Sequence, residues 1–196
     1  DVSLITSMHT LFDGKTTFND DISNWDVSSV TNMGYMFRNA SNFNQNISSW
    51  DVQNVISIGG IFKGAENFNQ DISSWDVSNV TNMTYFFEGA KRFNQDISSW
   101  DVSSVTSMFS VFYQADSFNQ DISSWDVSNV TNMGFLFANT SNFNQDLSSW
   151  DISQVNNFNS MFDNTALDVD FGWSWEELVF EWRMGAPGDF YRQAAP

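Results

Sequence analysis

The side chains that could do chemistry in this chain recur at one spacing. Aspartates stand at Asp21, Asp71, Asp96, Asp121 and Asp146, with Asn46 in the interrupted slot. A second set runs Asp26, Asp51, Asp76, Asp101, Asp126 and Asp151. Tryptophans occupy Trp25, Trp50, Trp75, Trp100, Trp125 and Trp150. A column of carboxylates can hold divalent cations, because Ca2+ takes several oxygen ligands from carboxylates and carbonyls. A displayed row of indoles is a platform for sugar rings. Each set also has a plainer use: a carboxylate at a turn accepts backbone N–H groups, and a tryptophan packs in a core.

The plainer use is the expectation for both. Neighbouring carboxylates about 5 Å apart repel by about 1 kcal/mol in water-like surroundings, so something must offset them. Backbone hydrogen bonds do this without an ion. Asn46 shows that charge is not required in every slot, and the glycine-rich nonapeptide of calcium-binding β-rolls is absent. No cofactor is therefore expected, with Ca2+ on Asp71, Asp96, Asp121 and Asp146 as the lesser alternative. Six exposed tryptophans would form an apolar patch unusual on a soluble monomer. Burial is expected for them, and a glycan-binding Trp column is the lesser alternative. Alternation outward from an inward Ile72 would display Trp75; a bend after Ser74 would bury it.

Catalysis finds little support. The chain has one histidine, His9, and no cysteine, so no nucleophile–base constellation is legible. Carboxylate pairs repeated along the whole chain read as structure rather than as one site. The expectation is a protein that is not an enzyme.

These side chains must be positioned by a repeat of 25 residues, typified by Phe68-Asn69-Gln70-Asp71-Ile72-Ser73-Ser74-Trp75-Asp76-Val77-Ser78-Asn79-Val80-Thr81-Asn82-Met83. Phe12, Phe37, Phe62, Phe87, Phe112, Phe137 and Phe162 form one column. Phe18, Phe43, Phe68, Phe93, Phe118 and Phe143 form another, and Ala40, Ala65, Ala90 and Ala115 a smaller one. A fixed period of this length is the mark of a solenoid whose units bury their apolar faces on one another. Twenty-five residues are too few for two packed helices with their turns. One short strand plus one short helical turn per coil is expected, in about seven coils: the strand near Asp71–Trp75, the turn from Val80 to Phe87. Val80, Met83 and Phe87 share a helical face. Gly89, with Asn39, Gly64, Asn139 and Asn164 in the equivalent slots, suits a left-handed residue ending that turn. The Asn69-Gln70 column is expected to form amide ladders.

The residues Trp75-Asp76-Val77-Ser78-Asn79-Val80-Thr81-Asn82-Met83, the Phe87-x-x-Ala90 step and Phe93-Asn94-Gln95-Asp96-Ile97-Ser98 together resemble the BspA-like leucine-rich-repeat surface proteins, in the 25-residue variant described as a mycoplasma-type repeat of unknown function. The likeness covers roughly residues 1–165. It implies a right-handed, leucine-rich-repeat-like solenoid on a cell-surface or extracellular protein, and no catalytic residues.

Composition agrees with that class. A formal charge of −17, from 24 acidic and 7 basic residues, argues against nucleic acid and anionic membranes. No apolar run approaches the ~20 residues of a membrane span, so no direct membrane insertion is expected. The chain opens in phase with the repeat and does not start with Met, which reads as a processed chain or a segment of a longer one.

Residues 166–196 differ in character. Ser174-Trp175-Glu176-Glu177 is a capping-box pattern, and Gly185 and Pro187 are stop signals. A helix is expected from about 175 to 184. Trp173, Trp175, Phe180 and Trp182 would cap the last coil or dock another subunit. Functionally, the leading expectation is a non-enzymatic adhesion or protein-interaction module meeting a protein or glycan on another surface. The alternatives are head-to-tail stacking of copies into a filament and glycan binding along the Trp column.

Overall fold

The computed structural model describes residues 2–167. Within them, residues 25 apart lie side by side in successive units. The contact is recorded by isolated parallel bridges, Ser7 to Asn32, Asn32 to Ser57, Asn82 to Ser107, Ser107 to Asn132, and Asn132 to Asn157. The bridging residue is thus the Asn82 column and not the segment Asp71–Trp75.

The strand expected at Asp71–Trp75 is replaced by a turn. The Asp71 carboxylate accepts the Ser73 N–H at 2.9 Å, and the Trp75 N–H returns to the Ile72 carbonyl at 3.1 Å. An aspartate that caps the N–H two residues on folds the chain instead of extending it. Alternation from Ile72 therefore does not apply, and the bend brings Trp75 inside.

The helical turn expected from Val80 to Phe87 is likewise a pair of tight turns. Phe86 N–H bonds to the Met83 carbonyl at 3.0 Å with Tyr85 at φ 64°, and Ala90 N–H bonds to Phe87 at 2.9 Å with Gly89 at φ 68°. A positive φ at the third position with this bond marks a type II turn. The N–H groups of Met83, Tyr85, Phe87 and Gly89 reach forward to Ser107, Phe109, Val111 and Tyr113. Donors thus alternate between their own turn and the next unit.

One rule places the core. The first and last residues of each turn are buried and the two between them point away. Ile72 and Trp75, Val77 and Val80, Met83 and Phe86, Phe87 and Ala90 are such pairs, and Phe93 closes one more turn with Ala90. Two polar residues between apolar corners give the Ser73-Ser74 and Ser78-Asn79 spacing. Inside, Phe87 stacks on Phe93 within its unit, centroids 3.9 Å apart, and on Phe112 of the next unit at 5.6 Å. Each such side chain contributes about 1.5–3 kcal/mol by leaving water, so the continuous stack supplies what a single unit cannot.

The left-handed slots fall where expected: Asn39, Gly64, Gly89, Gln114, Asn139 and Asn164 all have φ between 56° and 68°. The amide ladder also forms. Asn69 N–H donates to the Asn44 side-chain oxygen at 2.9 Å, and Asn94 to Asn69 at 2.9 Å. The proposed helix at 175–184, with Trp173, Trp175, Phe180 and Trp182, lies outside the described residues. Among the described residues no helix is long and apolar enough to cross a membrane.

Candidate functional site

The tryptophans do not form a surface. Trp50, Trp75, Trp100, Trp125 and Trp150 are buried, Trp75 at 2% exposure, and Trp25 is half-buried against the same core. Every buried indole spends its N–H on a backbone carbonyl 28 residues back, as Trp100 does on Ile72 at 3.1 Å. The exposed platform considered for sugar rings is absent from this column, because the turn at Ser73-Ser74 points the indole inward.

The aspartates are exposed turn-formers. Asp71, Asp96, Asp121 and Asp146 each accept the N–H two residues on at 2.9 Å. Asn46 does the same for Ser48 at 3.0 Å, which is why the slot tolerates a neutral amide. The N–H of Ser73 holds the Asp71 carboxyl below the ordinary carboxylate range, and repulsion from Asp96 is the least of the influences on it. The Ser123 hydroxyl and then its N–H do this for Asp121. Hydrogen bonding therefore outweighs like-charge repulsion at Asp71 and Asp121. Among the described residues no three His, Asp or Glu side chains converge as a metal site. Open depressions between Asp96 and Asp121 and between Asp121 and Asp146, about 400 and 320 Å³, repeat because the units repeat.

Much of what differs from unit to unit at the surface lies beside the bridge column. Where one unit has Thr84 and Tyr85, others have Gly34 and Tyr35, Gly59 and Gly60, or Gly134 and Phe135. Four half-buried aromatics collect here edge to face: Tyr85 with Phe109 at 5.6 Å, Phe109 with Phe135 at 5.7 Å, and Phe135 with Tyr113 at 6.2 Å. Lys63 Nζ lies 4.2 Å from the Tyr85 ring centre and 3.0 Å from Glu88. Arg38 grips Asp13 with both arms of its guanidinium and holds that carboxyl below its usual range. Lys91 pairs with Glu66 at 2.9 Å. Each ion pair joins residues 25 apart, so these cations offset acidity across unit boundaries.

The same face carries a break. At every other step an N–H in the Met83 column meets the Asn or Ser carbonyl of the following unit, from Met8 to Met133. The N–H of Ile58 has no such partner among the described residues, and neither does that of Thr81, although Thr31, Ile56, Thr106, Thr131 and Asn156 all donate to the unit before. Ile58 is fully buried, and an unmet buried N–H costs about 1–3 kcal/mol unless water or a ligand answers it. A groove of about 270 Å³ opens there, lined by His9, Gly34, Tyr35, Ile56, Ser57, Gly59, Asn82 and Thr84. The aromatic patch and the groove were both missed from sequence. The signal was the variable columns, together with Ile56 and Gly59-Gly60 where the repeat carries Thr and larger residues.

The sequence profile of a family described as Mycoplasma protein of unknown function, DUF285, matches residues 1–94 and again residues 70–173. The chain belongs to the DUF285 family. The overlapping matches fit a repeat with no fixed start, and the DUF285 profile carries no assigned activity. No curated protein and no solved structure matches the chain.

Proposed function

We propose that this DUF285 chain is a non-enzymatic extracellular or cell-surface protein acting as an adhesion or protein-interaction module. On this reading it is a leucine-rich-repeat-like solenoid of the BspA type. The stacked 25-residue units and the motif likeness support that, and the surface location rests on the likeness alone.

One observation carries the reading. Beside the bridge column, where other units carry small or charged residues, Tyr85, Phe109, Tyr113 and Phe135 form a half-exposed aromatic patch outside the core. Interfaces are enriched in such rings, and a scaffold that needs only stacking has no use for them outside its core.

The test is adhesion of protein-coated beads to cell surfaces, comparing the native chain with a Tyr85→Ser, Phe109→Thr, Phe135→Ser variant. Each replacement copies a residue that stands in the same column elsewhere, namely Ser110 and Thr84, so folding is preserved. Loss of adhesion is expected; equal adhesion by the variant would remove this face from the reading.

A second reading is end-to-end stacking of copies. Leu11 is 44% exposed, whereas Met36, Ile61 and Phe86 in the same column are fully buried. A unit in register, supplied by a second copy, would cover it. Light scattering across concentrations separates the two: growth into polymers supports stacking, and a constant mass of one chain excludes it.

A further inference from the structure

We propose that the aromatic patch receives the arginine or lysine side chains of a basic, extended segment on a partner protein. This rests on the interaction reading above and names the chemistry of its partner. The molecule already makes the contact within itself. Lys63 Nζ lies 4.2 Å from the centre of the Tyr85 ring, and the Arg38 guanidinium stands 5.0 Å over that of Tyr35. A cation over a ring face is held by the quadrupole of the ring. Tyr35 and Tyr85 share one column, so its earlier rings are served by cations of the chain itself.

The later units keep the rings and lose the cations. Tyr113 stands in the column of Arg38 and Lys63. It precedes Phe135 by the same interval that separates Lys63 from Tyr85, with the two ring centres 6.2 Å apart. Between Arg92 and Arg183 the sequence has no Lys or Arg, so the units that carry Phe109, Tyr113 and Phe135 supply no cation. The last cations before this stretch are Lys91 and Arg92, and Lys91 is paired with Glu66 of the preceding unit. Acid stands in their place. Glu88 and Asp163 share the Tyr113 column, and the exposed Asp116 lies in the turn that follows Tyr113.

The arrangement of the rings favours a cation over a sugar. Tyr85 with Phe109, Phe109 with Phe135, and Phe135 with Tyr113 meet at 83°, 73° and 85°. Rings set edge to face offer no flat platform for a sugar, whereas a charged group needs only one face. An extended segment sets alternate side chains about 6.7 Å apart. Successive ring centres in the patch lie 5.6, 5.7 and 6.2 Å apart, so neighbouring faces suit alternate residues of such a segment. The charge is complementary too. A net −17 repels anionic glycans, nucleic acid and anionic lipid, and it speeds the encounter with a basic segment.

The native chain is titrated, in moderate salt, with a short fluorescent peptide of alternating glycine and arginine, and with the same peptide carrying citrulline for arginine. Fluorescence anisotropy reads binding. The arginine peptide is expected to bind, and the citrulline peptide to bind about tenfold more weakly or not at all. The Tyr85→Ser, Phe109→Thr, Phe135→Ser variant keeps the net charge and should bind the arginine peptide about tenfold more weakly than the native chain. Lys63→Gln vacates the Tyr85 face and releases Glu88, and should tighten binding about threefold. Lys15→Gln makes the same change of charge in the first unit and should leave binding nearly unchanged. The proposal is overturned if the arginine peptide does not bind, or if the ring variant binds it as the native chain does, since the attraction is then general acidity. Equal effects of Lys63→Gln and Lys15→Gln overturn it for the same reason. The bead assay separates this inference from the reading it rests on. Adhesion that is lost in the ring variant but not competed by the arginine peptide keeps the adhesion reading and removes this partner. Ring-dependent arginine binding without bead adhesion keeps the cation site and removes the adhesion reading.

Discussion

The indole N–H of Trp75 donates to the carbonyl of Ile47 at 3.2 Å, across the boundary between two units. The same bond recurs from Trp50 to Trp150, so each tryptophan fills core and fastens its unit to the one before. The two roles can be separated. Trp75→Phe keeps much of the ring and removes one of the two bonds to the Ile47 carbonyl, which still accepts the Trp50 N–H at 3.2 Å, at a cost of about 0.5–1.5 kcal/mol. Trp75→Ala adds a cavity and should cost about 3–5 kcal/mol. Urea unfolding followed by circular dichroism reads both. Equal losses would mean that the packing kept by phenylalanine contributes nothing beyond the hydrogen bond.

The aspartates make a prediction about charge and ions. Asp71→Asn keeps the acceptor for the Ser73 N–H, as Asn46 does for Ser48, and should leave the melting temperature within a degree or two. Asp71→Ala removes the acceptor, with a loss of about 1 kcal/mol. A chelator should change neither protein. If EDTA lowers the melting temperature of the native chain and not of the alanine variant, a cation sits on the column.

The pH dependence follows from the same bonds. The carboxyls of Asp71 and Asp96 are held below the ordinary value of 3.8 first by the N–H groups of Ser73 and Ser98, and that of Asp76 first by the Ser78 hydroxyl. A carboxyl whose value is depressed in the folded state adds stability that is complete above its unfolded value. That stability is lost as pH falls through the folded value. Thermal stability should hold from neutral pH to about pH 5 and decline below about pH 4. General relief of the −17 charge would act in the opposite direction. A melting temperature that rises between pH 5 and pH 4 would show that overall repulsion outweighs these bonds.

Much of the architecture was legible in the sequence because every unit repeats the same compromise. Burial of the Trp75 column was expected from the size of the apolar patch it would otherwise expose, and the columns of Phe87 and Phe93 could be placed inside from spacing alone. So could the left-handed slot at Gly89, where asparagine is the recurrent substitute. The local conformation was not legible. Met83, Phe87 and Val80 fit a helical face, but their spacing of three and four equally fits successive turns that bury their first and last residues. Period-based reading cannot separate these when each turn is closed by one bond and the rest go to the next unit. The break at Ile58 was hidden for a related reason: Ile56 and Gly59-Gly60 read as ordinary variation until the neighbouring unit is seen beside them.

Gly89 offers a direct test of the turn geometry. Its φ is +68°, and an added Cβ would find its nearest neighbour at 3.5 Å, in ordinary contact, so the cost of a side chain is conformational rather than steric. Gly89→Asn, which copies Asn39 and Asn139, should be nearly neutral. Gly89→Val should lose about 1–3 kcal/mol, as a β-branched residue held in the left-handed region does. Equal stability of the two variants in urea would show that the turn relaxes out of positive φ.

The small column gives the sharpest discrimination between volume and hydrogen bonding. Ala40, Ala65, Ala90 and Ala115 are fully buried, and the next slot holds Thr140, also fully buried, whose hydroxyl donates to the Phe112 carbonyl 28 residues back. The corresponding carbonyl for residue 90 is that of Phe62, which already accepts the Ala65 N–H at 2.9 Å and has a second lone pair. Ala90→Thr should therefore find its acceptor and cost little. Ala90→Val has nearly the same volume but presses a methyl against that carbonyl, and should lose about 1–3 kcal/mol as an overpacked core does. Ala90→Leu should lose more than either. If threonine and valine destabilise alike, the column is limited by space alone, and the Thr140 bond is a consequence of its position rather than a reason for it.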